Sequence, residues 1–197
     1  MVRILTVFCA ILWISGAASA QGTVGQSNLP SGTICENTYA LCTSAPCTPD
    51  PTAPLERAIC SCIVKSGTNF GIGTTCAGRE PVDASGTKKL ISTYSFAEAE
   101  TKDVMTCEGD DYWTDCLDMP CVVDPRDPSK AICTCAIKKG GTFVTYGGSN
   151  GDKSCDTNTC ARSYWSGATQ AAFAQGSVAL MATLKLKQEP FTFCPAE

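Results

Sequence analysis

Two cysteine runs constrain this chain more than any other feature of its sequence. In the first, Cys42-Thr43-Ser44-Ala45-Pro46-Cys47 leads to Asp50-Pro51 and then to Ala58-Ile59-Cys60-Ser61-Cys62. In the second, Cys116-Leu117-Asp118-Met119-Pro120-Cys121 leads to Asp124-Pro125 and then to Ala131-Ile132-Cys133-Thr134-Cys135. The offset stays at 73 or 74 residues, and C-x4-C, Pro before Cys, Asp-Pro, Ala-Ile and C-x-C recur in one order. A fixed offset of this kind is how an internal repeat announces itself. Each copy opens with one more cysteine, Cys35 and Cys107, and is followed by a later one, Cys76 in the first and Cys155 or Cys160 in the second. Six per copy leaves Cys194 and whichever of Cys155 and Cys160 lacks a counterpart, and those two are expected to pin the C-terminus. Six cysteines can be joined in many ways, and sequence does not choose among them. Duplication adds the expectation that both copies use the same pairing.

What sulfur does here depends on the compartment. Residues 1–20 read as a secretory signal, with Met1-Val2-Arg3 as a short positive start, an apolar run of 11 from Ile4 to Ile14, and Ala18-Ser19-Ala20 as the cleavage site, cut before Gln21. Eleven residues at ~1.5 Å each cover only about half of a ~30 Å hydrocarbon core, so the run is too short to be an anchor. Ala171 to Ala182 is apolar but interrupted by Gln175, Gly176 and Ser177, and no transmembrane segment is expected in the mature chain. Losing the signal removes one Arg and Cys9, leaving 14 cysteines, the even number that full pairing requires. Disulfides are the default in an oxidising compartment, each worth roughly 2–4 kcal/mol alone. The candidates are Cys35, Cys42, Cys47, Cys60, Cys62, Cys76, Cys107, Cys116, Cys121, Cys133, Cys135, Cys155, Cys160 and Cys194. The location implied is secreted or periplasmic.

Local patterning predicts a small β unit in each copy. Arg57 to Val64 and Lys130 to Ile137 read as strands, with the two cysteines of each C-x-C two apart and therefore on one face. Ser66-Gly67-Thr68 and Gly140-Gly141 read as turns, followed by second runs at Asn69 to Ile72 and Thr142 to Tyr146, which makes each copy a hairpin. Thr48 to Pro54 and Asp124 to Pro128 read as surface loops, because proline donates no ladder hydrogen bond. Ser95 and Glu98 have capping-box spacing and Glu98 can pair with Lys102, which predicts a short helix over Phe96 to Met105. Phe173, Ser177, Leu180 and Leu184 share a face and predict a longer helix over Ala168 to Lys187, weakened by about 1 kcal/mol at Gly176. The fold expected is small, disulfide-rich and mainly β, with one or two accessory helices and tandem duplication of a Cys-rich hairpin unit. Its divisions are a signal at 1–20, an N-terminal segment at 21–34, a first repeat at 35–106, and a second at 107–197 that carries the C-terminal helix.

Composition removes several chemistries. There is no histidine, so Ser-His-Asp and Cys-His nucleophiles, His-ligated zinc and imidazole proton shuttles are excluded. Fifteen basic against 19 acidic residues give a net −4 with no basic cluster, so no nucleic-acid partner is expected. Closely spaced thiols act in disulfide exchange or bind soft metals, but Ile59 and Ile132 beside the C-x-C pairs predict burial, which suits structural disulfides. No metal and no cofactor are expected. Glu108, Asp110, Asp111 and Asp115 cluster with Tyr112 and Trp113, and Gly151 to Asn158 also offers oxygens, yet neither has a catalytic-pair or EF-hand spacing, and both read as solvated loops. Tyr112-Trp113 and Tyr164-Trp165 suit either a platform for sugar rings or a protein, or pieces of the core. Ser44 and Ser61 have no Ser-x-x-Lys arrangement, so serine catalysis is not expected.

Tandem Cys-rich copies with a Pro-containing Cys loop resemble, in layout, the double-headed protease inhibitors of the Bowman-Birk type. The loop between Cys42 and Cys47 is shorter than that family's reactive loop and its Pro46 directly precedes Cys47, so no reactive residue carries over. The reading that follows is a non-catalytic binding or structural protein whose partner is an unidentified protein or glycan. Two alternatives accompany it: a thiol-disulfide oxidoreductase using a C-x-C pair, and a secreted protease inhibitor.

Overall fold

The structure is a computed structural model that describes residues 31–147 and 155–194. The signal reading at 1–20 and the first part of the Gly151 to Asn158 loop fall outside the described residues. Nine strands and one helix are present among those described: β1 Thr33–Leu41, β2 Cys47–Pro49, β3 Arg57–Gly71, β4 Val82–Ala84, β5 Thr87–Thr93, β6 Val104–Asp115, β7 Pro120–Asp124, β8 Asp127–Tyr146, β9 Ser166–Thr169 and α1 Gln170–Leu184. All nine strands belong to one sheet.

Two long strands organise it. β3 is antiparallel to β1, β2 and β8, and β8 is antiparallel to β3, β6, β7 and β9. β1 runs parallel to β5, and β5 pairs with β7, so β3, β1, β5, β7 and β8 close into a ring. The β3–β8 pairing sets Cys60 opposite Cys133, Ala58 opposite Cys135 and Cys62 opposite Ala131. Side chains alternate across a strand, so the C-x-C cysteines and these alanines point into the ring while Ile63 and Ile132 face outward.

The fourteen cysteines among the described residues form seven disulfides. Cys35–Cys76, Cys42–Cys62 and Cys47–Cys60 lie in the first half, and Cys107–Cys160, Cys116–Cys135 and Cys121–Cys133 lie in the second. Cys155–Cys194 holds the C-terminal segment. The ring interior is filled by Cys42, Cys60, Cys62, Cys116, Cys121, Cys133 and Cys135 with Ala40, Ala45, Ala58, Ala131 and Leu90. Small alanines leave the volume that sulfur occupies, so the bridges themselves are the packing. A second core is aromatic, with Phe70, Tyr94, Tyr146, Phe173 and Phe191 around Val104, Val144 and Leu180. One face of α1 closes it through Phe173, Ser177 and Leu180.

Several local expectations are corrected. Gly67 and Gly140-Gly141 do not turn the chain: β3 and β8 run straight through them with φ of 127°, 64° and 83°, values open to glycine. The hairpin partners are β1 for β3 and β6 for β8, each lying upstream of the long strand. Phe96 to Met105 is not a helix. A single 3-10 turn, Phe96–Glu98, follows Ser95, whose Oγ accepts from Ala97 N, and strand β6 has begun by Val104. Pro49 and Pro128 do not lie in loops. Pro49 closes the short edge strand β2, and Pro128 sits at the start of β8, both places where the missing N–H costs little. The C-terminal helix starts at Gln170 rather than Ala168, because Ala168 belongs to β9 and Thr169 Oγ1 caps the helix by accepting from Ala172 N.

Candidate functional site

The C-x-C cysteines are the natural first place to look for reactivity. Each is paired with a C-x4-C cysteine, Cys60 with Cys47 and Cys62 with Cys42, and their equivalents Cys133 with Cys121 and Cys135 with Cys116. Neither C-x-C forms a disulfide within itself, and all four sulfurs are buried. Among the described residues, the groups close enough to share an ion are sulfurs of this core: Cys42, Cys62 and Cys116; Cys42, Cys121 and Cys133; and Cys47, Cys60 and Cys116. All of them are held in bridges.

Ser44 has no Ser-x-x-Lys partner in sequence, yet the fold brings a lysine to it. Lys102 Nζ lies 2.6 Å from Ser44 Oγ and 2.7 Å from Glu98 Oε1, and Ser44 Oγ donates to the same carboxylate oxygen at 2.5 Å. Ammonium and hydroxyl therefore converge on one carboxylate, which ties the Cys42–Cys47 loop to the turn at Phe96–Glu98. The Glu98–Lys102 half of this group was legible at i, i+4 spacing; Ser44 comes from a distant segment and left no local signal.

The acidic and aromatic residues of β6 divide by strand face. Trp113 is buried, stacked on Phe143 at 5.0 Å between centroids, and donates from Nε1 to the Gly140 carbonyl at 3.1 Å. Tyr112 turns the other way. Between Gly109 and Tyr112 the register against β8 shifts by one residue, a bulge that re-aims the side chains following it. Tyr112 then stacks on Tyr164, centroids 5.6 Å apart and rings within 10° of parallel. Tyr164 is held there by its backbone: φ is 61°, its N–H donates to the Tyr112 carbonyl at 2.7 Å, and its carbonyl accepts from Thr114 Oγ1 at 2.9 Å. A bulky residue at positive φ is a strained conformation, and strain of about 1–3 kcal/mol concentrates where side-chain placement matters.

Around this pair lie both signs of charge. Lys139 Nζ stands 5.7 Å from the Tyr112 ring centre, and Arg162 lies over Trp165 at 4.9 Å while its guanidinium reaches Asp156 at 3.5 Å. A shallow concavity beside them is lined by Glu108, Asp111, Tyr112, Trp113, Phe143 and Arg162. Glu108, Asp110 and Asp111 are exposed, whereas Asp115 at the far end of β6 is partly buried and accepts from Leu117 N at 3.3 Å. Burial holds the Asp115 carboxyl above the usual carboxylate range, opposed by that hydrogen bond and by Lys138. The two aromatic pairs of the sequence thus meet in space, with Tyr112, Tyr164 and Trp165 half-buried and Trp113 buried beneath them.

No family model matches this chain, and neither the curated proteins nor the solved structures give a match. No helix among the described residues is long and apolar enough to cross a membrane. A mainly β, disulfide-rich protein is what the residues and geometry themselves establish.

Proposed function

We propose that this chain is an exported, non-catalytic binding protein, made by tandem duplication of a Cys-rich unit, which takes a glycan or protein ligand at Tyr112 and Tyr164. The observation that carries the binding reading is the stacked tyrosine pair, fixed by positive-φ backbone and a bulge beside a concavity lined with Glu108, Asp111 and Arg162. Flat rings beside mixed charges suit a ligand that offers both apolar faces and hydroxyl or amide groups. Duplication is supported by the paired disulfides, and by two contacts that repeat with the offset of the sequence. Ala40 opposite Ser92 in β1–β5 corresponds to Thr114 opposite Ser166 in β6–β9, and Phe70 opposite Tyr94 to Val144 opposite Ala168. Export is supported by the residue 1–20 pattern and the seven disulfides.

The test is titration of the mature, oxidised protein against a panel of oligosaccharides, read by intrinsic fluorescence, alongside the double variant Tyr112→Ala/Tyr164→Ala. Binding that weakens at least about tenfold in the variant, at unchanged melting temperature, supports the site, since a stacking hot spot is worth ~1.4 kcal/mol or more. A ligand that binds the variant as well as the parent overturns it. N-terminal sequencing of exported material is expected to begin at Gln21.

A further inference from the structure

Four of the seven disulfides meet inside the ring, and their sulfurs touch across bridges as well as within them. Cys42 Sγ lies 3.4 Å from Cys133 Sγ, and Cys60 Sγ lies 3.5 Å from Cys116 Sγ. Each contact joins the first half to the second, and the repeat offset carries one contact onto the other, Cys42 to Cys116 and Cys60 to Cys133. Around them, Cys47, Cys60 and Cys116 have sulfurs all within 4.8 Å, as do Cys42, Cys121 and Cys133. Seven of the eight sulfurs belong to residues no more than 3% exposed, and Cys47 alone is partly open to solvent. Its counterpart Cys121 is buried, so the two halves are not equally accessible.

The geometry points to a thiol-disulfide relay through this core, entered at Cys47 and leaving at Cys135. A dithiol reductant attacks Cys47 Sγ, on the partly exposed residue of the Cys47–Cys60 bond, and Cys60 departs as a thiolate. The reductant's second thiol resolves the mixed disulfide, leaving Cys47 as a thiol. The reductant has been oxidised to its own disulfide, two electrons and one proton have passed to the protein, and the second proton is in the solvent. Cys60 now faces Cys116 at 3.5 Å, against about 2.0 Å for a bonded pair, so closure needs a movement of roughly 1.5 Å. Its thiolate attacks Cys116 Sγ, the Cys60–Cys116 bond forms, the Cys116–Cys135 bond breaks, and Cys135 leaves as the thiolate that takes up the proton. This second step consumes no electrons, because one disulfide replaces another.

Mild reduction therefore moves a staple instead of removing it. The two-electron-reduced molecule exchanges two bridges within halves for one bridge between them, and β3 becomes tied to the second half covalently as well as through its pairing with β8. Such a core retains its cross-linking through an encounter with a reductant and reverts when Cys135 attacks back.

Limited reduction of the native mature protein with dithiothreitol, followed by acid quenching, N-ethylmaleimide labelling and peptide mass spectrometry, tests this. Cys155 is exposed, so the label on Cys155 and Cys194 is read separately from that of the core. The expected result is label on Cys47 together with Cys135, and a peptide bridged by Cys60 and Cys116. Label confined to Cys47 and Cys60 with Cys116–Cys135 intact overturns the relay, as do core sulfurs that stay unlabelled until all are released together. In the double variant Cys116→Ser/Cys135→Ser the second step is removed and label is expected on Cys47 and Cys60 alone; should that variant fail to fold, the wild-type map decides.

Discussion

Arg79 is the least expected side chain in the interior. It is 1% exposed, yet its guanidinium is threaded through backbone acceptors, donating from one terminal nitrogen to Thr33 O at 3.0 Å and from the other to Thr74 O at 2.6 Å. Its Nε lies 3.4 Å from Asp118 Oδ1, and Asp118 Oδ2 accepts from the N–H groups of Ile72 and Gly73 at 2.6 Å each. Burial pushes the Arg79 guanidinium below its ordinary value, and the Asp118 charge opposes that. Asp118 sits in the second Cys loop, so this cluster fastens one half of the chain to the other. Arg79→Met is expected to destabilise by about 3–5 kcal/mol, the range for breaking a buried ion pair from one side. Urea unfolding of the two proteins measures it; a midpoint unchanged at equal slope would mean the charges are solvated and the cluster idle. None of this was legible, because neither residue has a neighbour in sequence that betrays its partner. The cysteines differ: C-x-C spacing fixes a shared face on any strand, so Cys60, Cys62, Cys133 and Cys135 could be placed inward from residue identity alone.

At the scale of elements, what the sequence carries is periodicity, and what it conceals is competition. The strands around both C-x-C pairs and the C-terminal helix follow from their patterns. Ser95 caps the turn through Ala97 N and Glu98 meets Lys102, but the reciprocal half of the capping box is absent because Glu98 is turned to Ser44 and Lys102; Cys107 is bonded to Cys160 and paired opposite Phe143, and that tertiary pull turns Val104–Asp115 into strand after one helical turn. The glycines at 67, 140 and 141 carry a turn signature and lie instead within strands, Gly67 opposite Asn37 of β1 and Gly141 opposite Gly109 of β6. Gly176 also means something other than its propensity. A Cβ there would lie 2.8 Å from Tyr94 Cδ1 and 2.9 Å from Phe70 Cδ1, so the glycine lets α1 approach the aromatic core. Gly176→Ala gains about 1 kcal/mol of helix propensity and loses about 1–3 kcal/mol to overpacking, so the net expectation is a lower melting temperature. A raised one would show that the rings yield freely.

The aromatic core also sets how the whole molecule responds to pH. Tyr94 Oη lies 3.3 Å from both Tyr146 Oη and Ser177 Oγ, and Tyr39 donates to Ser95 Oγ at 2.7 Å. Burial raises all three phenols above their ordinary value of 10.0. The folded chain then holds protons that the unfolded chain releases, so the stabilisation is complete below about pH 10 and declines as pH rises beyond it. Melting temperature is expected to fall above that pH in wild type and to fall less steeply in Tyr94→Phe; parallel curves would show that Tyr94 carries no linkage. At this scale the sequence carried the recurring cysteine spacing but not how the two halves interlock. Ser92 N donates to Met119 O at 2.9 Å and Ser166 N to Ala45 O at 3.0 Å, while Ser92 Oγ reaches Cys116 O and Ser166 Oγ reaches Cys42 O. Each serine so placed binds the Cys loop of the opposite half, and no serine pattern in the chain marks these two out. Both hydroxyls are fully buried, and Ser92 Oγ also accepts from Met119 N at 3.0 Å. Removing either leaves a buried carbonyl short of a donor, which costs about 1–3 kcal/mol. Ser92→Ala and Ser166→Ala are both expected to lower stability in urea unfolding, Ser92→Ala by more because it also strips Met119 N of its acceptor. A large loss in one variant and none in the other would mean that the halves are held together from one side, and that the matched geometry is not matched in energy.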